Sequence, residues 1–233
     1  MRSNVRRALV TGAARGVGHA TSLSLADRGY EVVGVDIRPQ RSNGATATIS
    51  ADLSDPSECD RVIAEAGRID VLVNAHGLLE PRAIESTTVE DFDRAVSVNL
   101  RSVFLLCQGS APSMAAEGWG RIINFSSVVA RTGGFSSAPY AAAKAGVIAL
   151  TKSFATAYSG RGVTCNAIAP AAVDTELNAF LDEAGRQRII DLVPVGRFST
   201  PEEFAALVLY LAGDDAGFIT GATIDMNGGW VMT

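Results

Sequence analysis

The sequence has little of several features that define special classes of protein. Its three cysteines stand far apart, at Cys59, Cys107 and Cys165, which excludes a disulfide framework and a metal site built on close cysteine pairs. The apolar runs are too short to cross a bilayer, and the basic opening residues lead directly into a strand rather than into a signal core. We therefore expect a soluble, cytoplasmic protein that binds no metal and no membrane.

A large excess of positive charge is also missing. The chain has 20 Lys and Arg against 25 Asp and Glu, with a formal net charge of -5, and the basic residues are scattered. Without a basic stripe or a basic amphipathic helix, neither a nucleic acid nor a membrane surface is an expected partner. The 233 residues, 47% of them hydrophobic, suit one well-buried domain spanning residues 1–233 whose partners are small molecules.

Short apolar runs alternate with longer segments of helical period. The runs typical of buried strands are Ala8–Thr11, Glu31–Val35, Val71–Val73, Arg121–Ser126, Gly162–Ile168 and Ala222–Asp225. This alternation predicts an α/β fold, a Rossmann-type doubly wound parallel β-sheet with helices on both faces. Ligands of such sheets bind at the carboxyl ends of the strands, so functional residues should follow strands.

A glycine-rich turn directly follows the first predicted strand. In the segment from Thr11 to Gly18, small residues permit a tight turn and let the backbone approach a pyrophosphate at a helix N-terminus. The spacing is G-x-x-x-G-x-G rather than G-x-G-x-x-G, and a purely structural turn would look similar. The candidate cofactor contacts in this segment are Gly12, Arg15, Gly16, Val17 and Gly18.

Asp36 ends the second strand and bears on the choice of cofactor. A carboxylate at this position can accept hydrogen bonds from ribose hydroxyls and would repel a 2′-phosphate, which favours NAD over NADP. A solvated loop aspartate is the alternative interpretation. Arg15 and Arg38 stand near it and could instead bind a phosphate.

The segment YAAAK brings together two groups suited to proton transfer. Tyr140 and Lys144 are four residues apart, which is one helical turn, so their side chains share a face. A neighbouring ammonium and an oxidised nicotinamide both favour the phenolate, so we expect a lowered pKa for Tyr140. Tyr140 would then exchange a proton with a substrate oxygen as a general acid or base.

Two further polar residues stand near predicted strands and helices. Ser127 follows an apolar run, and its hydroxyl could hold the substrate oxygen as negative charge develops. Asn99 lies inside a helix predicted from Val89 to Gln108, where asparagine has poor propensity. Singly, each has a structural alternative, such as a turn serine or a helix-bending asparagine. Together with Tyr140 and Lys144 they form a constellation that favours catalysis.

With these motifs, from TGAARGVG to the terminal IDMNGG, the chain resembles the short-chain dehydrogenase/reductase family over nearly its full length. The resemblance implies a catalytic tetrad of Asn99, Ser127, Tyr140 and Lys144. In it Tyr140 is the acid/base, Lys144 lowers its pKa and holds the nicotinamide ribose, Ser127 orients the substrate and Asn99 anchors a proton-relay water. It also implies a homotetramer, which agrees with a segment Tyr140–Tyr158 so apolar that we expect it to be buried on nearly all sides.

The same resemblance extends the set of cofactor contacts. It implies that Asp52 and Leu53 lie against the adenine, that the turn Asn74, Ala75, His76 and Gly77 lies beneath the cofactor, and that Val173 and Thr175 contact the nicotinamide carboxamide. Tyr140 and Lys144 belong to both the catalytic and the cofactor-binding sets.

Three departures from the family pattern stand out. NAHG replaces the usual N-N-A-G, which introduces His76, and we expect this residue to act through its main chain rather than as a second acid or base. Pro170-Ala171 replaces Pro-Gly, which would be costly if that site requires a positive φ. Only fifteen residues separate Asp36 from Asp52, so we expect the helix common there to be reduced to a turn around Asn43-Gly44.

The segment 176–197 mixes apolar residues with alternating charges, which is typical of a helical lid over an apolar pocket. We predict an oxidoreductase that transfers a hydride between NAD(H) and a small secondary alcohol or ketone. An NADPH-dependent 3-oxoacyl-acyl-carrier-protein reductase is the alternative enzyme, because the C-terminal run from Gly196 resembles such proteins. A non-enzymatic dinucleotide-binding regulator is the alternative of another class.

Overall fold

The computed structural model describes residues 5–39, 44–133 and 137–232. Within these residues, seven parallel strands form one sheet in the spatial order β3-β2-β1-β4-β5-β6-β7. The strands are β1 (Arg7–Thr11), β2 (Glu31–Asp36), β3 (Ala47–Ser50), β4 (Val71–Asn74), β5 (Gly120–Phe125), β6 (Val163–Ile168) and β7 (Thr223–Ile224). The Rossmann-type doubly wound sheet is confirmed.

Helices cover both faces of this sheet. They are α1 (Gly16–Asp27), α2 (Pro56–Ala66), α3 (Val89–Val96), α4 (Ser102–Glu117), α5 (Val129–Thr132), α6 (Ala138–Tyr158), α7 (Glu183–Leu192) and α8 (Pro201–Leu211). On β1 the side chains alternate: Ala8 and Val10 pack in a core with α1 and α8, whereas Leu9 packs in a core with α2, α4 and α6. The period of two thus places each apolar side chain in one of two cores.

Six of the strands were predicted to within a residue or two. Five of them, β1, β2, β4, β5 and β6, are mostly apolar and buried on both faces. The strand that sequence reasoning missed is β3, at the edge of the sheet. Only Ile49 is buried within it. An edge strand with one buried side chain lacks the apolar run that marks a central strand.

The helix predicted from Val89 to Gln108 is present and contains a π-helical turn. After α3 the backbone forms a π-helix over Ser97–Arg101, and α4 follows. Asn99 lies within this π-helix. The backbone is therefore helical over the whole predicted range and on to Glu117, and the π-helical turn within it is the feature that the sequence did not predict.

The other two structural expectations concern the region after β2 and the apolar helix. Between β2 and Asp52 the described residues contain no helix, and Gly44 has a positive φ of 74°; Asn43 lies outside the described residues. In the single chain, α6 is not buried on nearly all sides. It exposes a row of small side chains at Ala142, Ala145 and Ala149.

Within the described ranges, no helix is long and apolar enough to span a membrane. In the same ranges there is no group of three or more His, Cys, Asp and Glu side chains arranged to hold a metal ion. All three cysteines are buried thiols.

Candidate active site

A cavity of about 490 Å³ opens at the carboxyl ends of the strands. Strand register aligns these ends, since Thr11 pairs with Asn74 and Asn74 pairs with Asn124. The predicted site residues that line the cavity are Gly12, Arg15, Gly16, Val17, Gly18, Asp36, Asp52, Leu53, Ala75, Gly77, Ser127, Tyr140, Lys144, Val173 and Thr175. Two predicted residues, Asn74 and Asn99, do not line it and lie in the layer behind.

The turn after β1 is built from close backbone contacts. Gly12 has a φ of 70°, and a Cβ there would come within 3.0 Å of the Ala75 carbonyl oxygen and the His76 Cα. A Cβ on Gly18 would collide with the Gly12 and Thr11 carbonyl groups. These glycines let backbone pack against backbone, and the turn leads into the N-terminus of α1, where backbone N–H groups favour an anion.

Asp36 is fixed where β2 ends. Its Oδ2 accepts a hydrogen bond from the Ala14 backbone N–H at 3.0 Å, and its Oδ1 accepts one from the Arg38 N–H at 3.0 Å. Across the cavity mouth, Arg15 forms an ion pair with Glu176 at 2.8 Å. The carboxylate is therefore held in place, and the Arg15 guanidinium is already paired with a carboxylate of the loop after Thr175.

Tyr140 and Ser127 face each other in the cavity. Tyr140 is 8% exposed and Ser127 is 9% exposed. Burial raises the pKa of Tyr140 to about 12, and a hydrogen bond with the Ser127 side chain opposes that rise. The expected lowering includes the charge of an oxidised nicotinamide; the protein's own side chains do not produce it, because the desolvation of the phenolate outweighs what they contribute.

Lys144 lies on the same face of α6 as Tyr140, as their spacing of four residues predicts. Its Nζ is 5.7 Å from the centroid of the Tyr140 ring and donates to the Phe125 carbonyl oxygen at 2.8 Å. Burial lowers the pKa of Lys144 to about 8. The Ser126 hydroxyl donates to the Lys144 carbonyl oxygen at 2.8 Å, which ties the end of β5 to this turn of α6.

Asn99 is fully buried and clamps the loop after Gly77. Its Oδ1 accepts from the Leu78 N–H at 3.0 Å, and its Nδ2 donates to the Leu78 carbonyl oxygen at 2.9 Å. Gly77 lies between Asn99 and Lys144. A methyl group added there would be 3.2 Å from Asn99 Oδ1 and 3.7 Å from Lys144 Nζ.

Asn74 supports the floor of the site from within the sheet. Its Nδ2 donates to Asn124 Oδ1 at 2.8 Å, and Asn124 Nδ2 donates to the Thr151 hydroxyl of α6 at 3.0 Å. This ladder joins β4, β5 and α6 behind the cavity. The side chain of Asn74 is therefore structural, while its neighbour Ala75 lines the cavity.

Two departures from the family pattern have clear outcomes. His76 lines the cavity, and both of its ring nitrogens lie within hydrogen-bond distance of hydroxyl groups, those of Thr11 and Ser102. The Pro170-Ala171 site requires no positive φ, because within the described ranges only glycines have one. Ala171 is therefore accommodated without backbone strain.

The segment 176–197 covers one side of the cavity. Leu177, Phe180 and Ile189 line it, and Thr175 Cγ2 lies 3.1 Å from where a Cβ on Gly16 would stand. Sequence reasoning missed the apolar wall formed by Leu79, Val128, Val129 and Trp230. An aromatic residue directly after the terminal glycine pair was the signal that could have identified Trp230.

Comparison with known proteins gives the chain its family. A family model described as enoyl-(acyl carrier protein) reductase matches residues 12–231. The chain is 35% identical, over 246 aligned residues, to the 3-oxoacyl-[acyl-carrier-protein] reductase FabG of Thermotoga maritima, covering 100% of both proteins. It is 37% identical to the acetoacetyl-CoA reductase of Shinella zoogloeoides, covering 96% of this chain and 98% of that protein.

Solved structures agree with this assignment. An Agrobacterium tumefaciens protein, provisionally assigned as a 2-deoxy-D-gluconate 3-dehydrogenase and crystallised with bound NADP, matches with a TM-score of 0.89 at 33% identity. The match covers 97% of this chain and 96% of that one. Since the relatives are similar over their full length, the chain belongs to the short-chain dehydrogenase/reductase family and is an oxidoreductase.

Proposed function

We propose that the protein transfers a hydride between NAD(H) and a secondary alcohol or ketone, with Tyr140 as the general acid and base. The observation that carries this proposal is that Ser127, Tyr140 and Lys144 line the same cavity as the glycine turn and Asp36. A dinucleotide bound along the turn would thus end beside the tyrosine. Except for Asn74 and Asn99, which lie behind it, the catalytic and binding residues that the sequence predicts line this one cavity.

The residues present fit a nicotinamide dinucleotide. Gly12 and Gly18 let the turn pack directly against neighbouring backbone, which brings it round to the N-terminus of α1, where backbone N–H groups suit a pyrophosphate. Asp36 would hold the adenosine ribose, Asp52 and Leu53 the adenine, and Val173 and Thr175 the carboxamide. When bound, the nicotinamide accepts or returns the hydride, and in its oxidised form it adds a positive charge that favours the Tyr140 phenolate.

The chain supplies the proton transfer. In the direction of reduction, the Tyr140 phenol donates its proton to the substrate oxygen, which the Ser127 hydroxyl also binds. The Lys144 ammonium stabilises the phenolate that remains. The bare Cα of Gly77 leaves space between Lys144 and Asn99, which is what a water-mediated proton path between them requires.

Asp36 favours NAD over NADP. Its carboxylate is held by two backbone N–H groups at the end of β2, where it would repel a 2′-phosphate. The ion pair of Arg15 with Glu176 engages one of the two cations that could bind that phosphate. The bound NADP of the Agrobacterium tumefaciens relative makes the opposite preference the main alternative.

The substrate pocket is mostly apolar. Phe180 and Ile189 of segment 176–197, which we interpret as a lid, line the cavity together with Val128 and Trp230. A small secondary alcohol or ketone suits such walls. The names of the bacterial relatives favour a second candidate, reduction of a 3-oxoacyl thioester, in which the acyl carrier would remain outside the cavity.

We also propose a single domain that assembles as a cytoplasmic homotetramer. The exposed row of alanines on α6 supports assembly, because small side chains let two helices approach closely. Phe104 of α4 is 37% exposed and packs on Phe154 of α6 with ring centroids 6.1 Å apart. Light scattering coupled to size-exclusion chromatography should give four times the chain mass.

The proposed function is tested with purified protein, two cofactors and two substrate classes. NADH and NADPH are titrated separately by fluorescence, and secondary alcohols and 3-oxoacyl thioesters are then screened with the cofactor that binds. We expect tighter binding of NADH and turnover of small alcohols or ketones. A clear NADPH preference with turnover of 3-oxoacyl thioesters alone would favour the second candidate.

Replacement of Tyr140 by Phe tests the chemistry. This change removes one hydroxyl from a buried side chain, so the fold and NADH affinity should persist while kcat falls by about 1,000-fold. Tyr158→Phe, on the last turn of the same helix, is the matched control and should keep its activity. Undiminished turnover of the Tyr140→Phe protein would contradict the role of Tyr140.

A further inference from the structure

His76 is a cavity-lining side chain whose two ring nitrogens are both engaged. Its Nδ1 lies 2.6 Å from the Thr11 hydroxyl, at the end of β1. Its Nε2 lies 2.7 Å from the Ser102 hydroxyl, on the first turn of α4. The imidazole therefore spans the distance between the end of β1 and the helix that continues from the π-helical turn.

The neighbouring acceptors determine which way these hydrogen bonds run. The Ser102 hydroxyl donates to the Val98 carbonyl oxygen at 2.6 Å, so its oxygen must accept from His76 Nε2–H. Among the described residues, the one alternative acceptor for Thr11 is the more distant Val73 carbonyl oxygen at 3.3 Å, so its proton goes to His76 Nδ1. One neutral tautomer thus satisfies every group, from Thr11 to Val98.

This direction of hydrogen bonding leaves His76 unable to act as an acid or base on a ligand. Neither ring nitrogen has a free lone pair or proton that points into the cavity. Burial, assisted by the charge of Lys144, lowers the pKa of His76 to about 3. The imidazole therefore remains neutral, and its role is structural: it links Thr11 to Ser102 through two hydrogen bonds.

The loop after β4 is anchored to the π-helical turn by two routes. His76 reaches it through Ser102 and the Val98 carbonyl, and Leu78 reaches it through both hydrogen bonds with Asn99. Val98 and Asn99 are adjacent in the π-helix, and Gly77 lies between the two anchoring points. Movement of either anchor would shift Asn99 relative to Gly77 and Lys144.

We infer that His76 is a positioning residue, which fixes the π-helical turn through Ser102 and so holds Asn99 in place beside Gly77. The inference rests on the proposed function of Asn99 in the proton path. Unlike the residues of the proposed catalytic set, His76 would act without touching the substrate. It also gives the NAHG turn a side-chain role, where the sequence suggests only a main-chain one.

The experiment compares four proteins: His76→Ala, Asn99→Ala, the double variant and His76→Gln. Alanine is the usual residue at this position of the family pattern, so His76→Ala should fold. Glutamine presents its amide nitrogen about where histidine presents Nε2 and can still donate to Ser102. We expect kcat to fall about tenfold in His76→Ala, with the NADH Kd within about twofold of wild type, and to recover in His76→Gln.

The double variant separates positioning from a general loss of stability. If His76 acts through Asn99, its removal adds nothing to the kcat loss of Asn99→Ala, whereas independent effects would multiply. Multiplying losses, or an unchanged kcat in His76→Ala, would overturn the inference. So would a His76→Gln protein as slow as His76→Ala.

A readout without turnover keeps this test distinct from that of the proposed function. The Leu78 amide donates to Asn99, so its hydrogen exchange reports whether Asn99 is held. We expect exchange about tenfold faster in His76→Ala than in wild type, and unchanged exchange would overturn the inference. Faster exchange in a protein whose Tyr140→Phe variant keeps full activity would leave the positioning intact and reject the proposed chemistry.

Discussion

The turn after β1 and the turn after β4 lie side by side, because Thr11 pairs with Asn74, yet they are built by different means. In the first, from Gly12 to Gly18, glycines bring backbone against backbone. In the second, from Ala75 to Leu78, the side chains of His76 and Asn99 hold the loop to a helix. We infer a division of labour, in which the first turn binds the cofactor and the second positions the reacting groups.

The largest effect we expect from this comparison concerns the first turn. A Cβ on Gly18 would collide with the Gly12 and Thr11 carbonyl groups, so Gly18→Ala must displace the turn. We expect the NADH Kd, measured by fluorescence titration, to rise about 100-fold. Gly160→Ala is the control, because a Cβ there meets nothing within 4 Å. Equal affinities for the two variants would show that the close packing is not needed.

A smaller effect concerns the second turn, because its buried His76 should lower the stability of the protein in acid. His76 has its pKa lowered from 6.5 to about 3 by burial, so below about pH 6.5 the unfolded chain binds a proton that the folded chain does not. Going from about pH 7.5 to about pH 5, wild type should lose about 2 kcal/mol more unfolding free energy than His76→Ala. Urea denaturation at both pH values measures this difference, and parallel losses would contradict the buried neutral imidazole.

The smallest effect concerns the cofactor's adenosine end. Asp36→Asn keeps an oxygen acceptor but removes the charge that opposes a 2′-phosphate. We expect the ratio of NADPH to NADH affinity to shift about tenfold toward NADPH, which corresponds to about 1.4 kcal/mol. Asp60→Asn, an exposed carboxylate on α2, should leave the ratio unchanged. A shift of equal size in both variants would point to net charge rather than to Asp36.

The turn after β1 and the turn after β4 also differ in how much of their geometry the sequence predicts. The glycines of the first turn and the pair Tyr140 and Lys144 act through local spacing, so their geometry follows from the strand and helix that contain them. Ser102 is 26 residues from His76, and no local pattern joins them. The π-helix, the hydrogen-bonded position of Asn99 and the bridging role of His76 therefore appear only in the folded chain.

Two other differences have the same origin. The pKa of Tyr140 was expected to fall because charges near it were considered without its burial, which is a property of the packed chain. Trp230 reaches the substrate wall from the C-terminal end of the chain. The central strands were predictable because each is an apolar run by itself, whereas β3 is a strand by virtue of its pairing with β2.

The division of labour between the two turns is tested most directly by measuring the NADH Kd of Asn99→Ala beside that of Gly18→Ala. We expect Asn99→Ala to bind NADH within about twofold of wild type although its kcat is lower, and Gly18→Ala to bind about 100-fold more weakly. If Asn99→Ala loses as much NADH affinity as Gly18→Ala, both turns serve cofactor binding and the division is wrong.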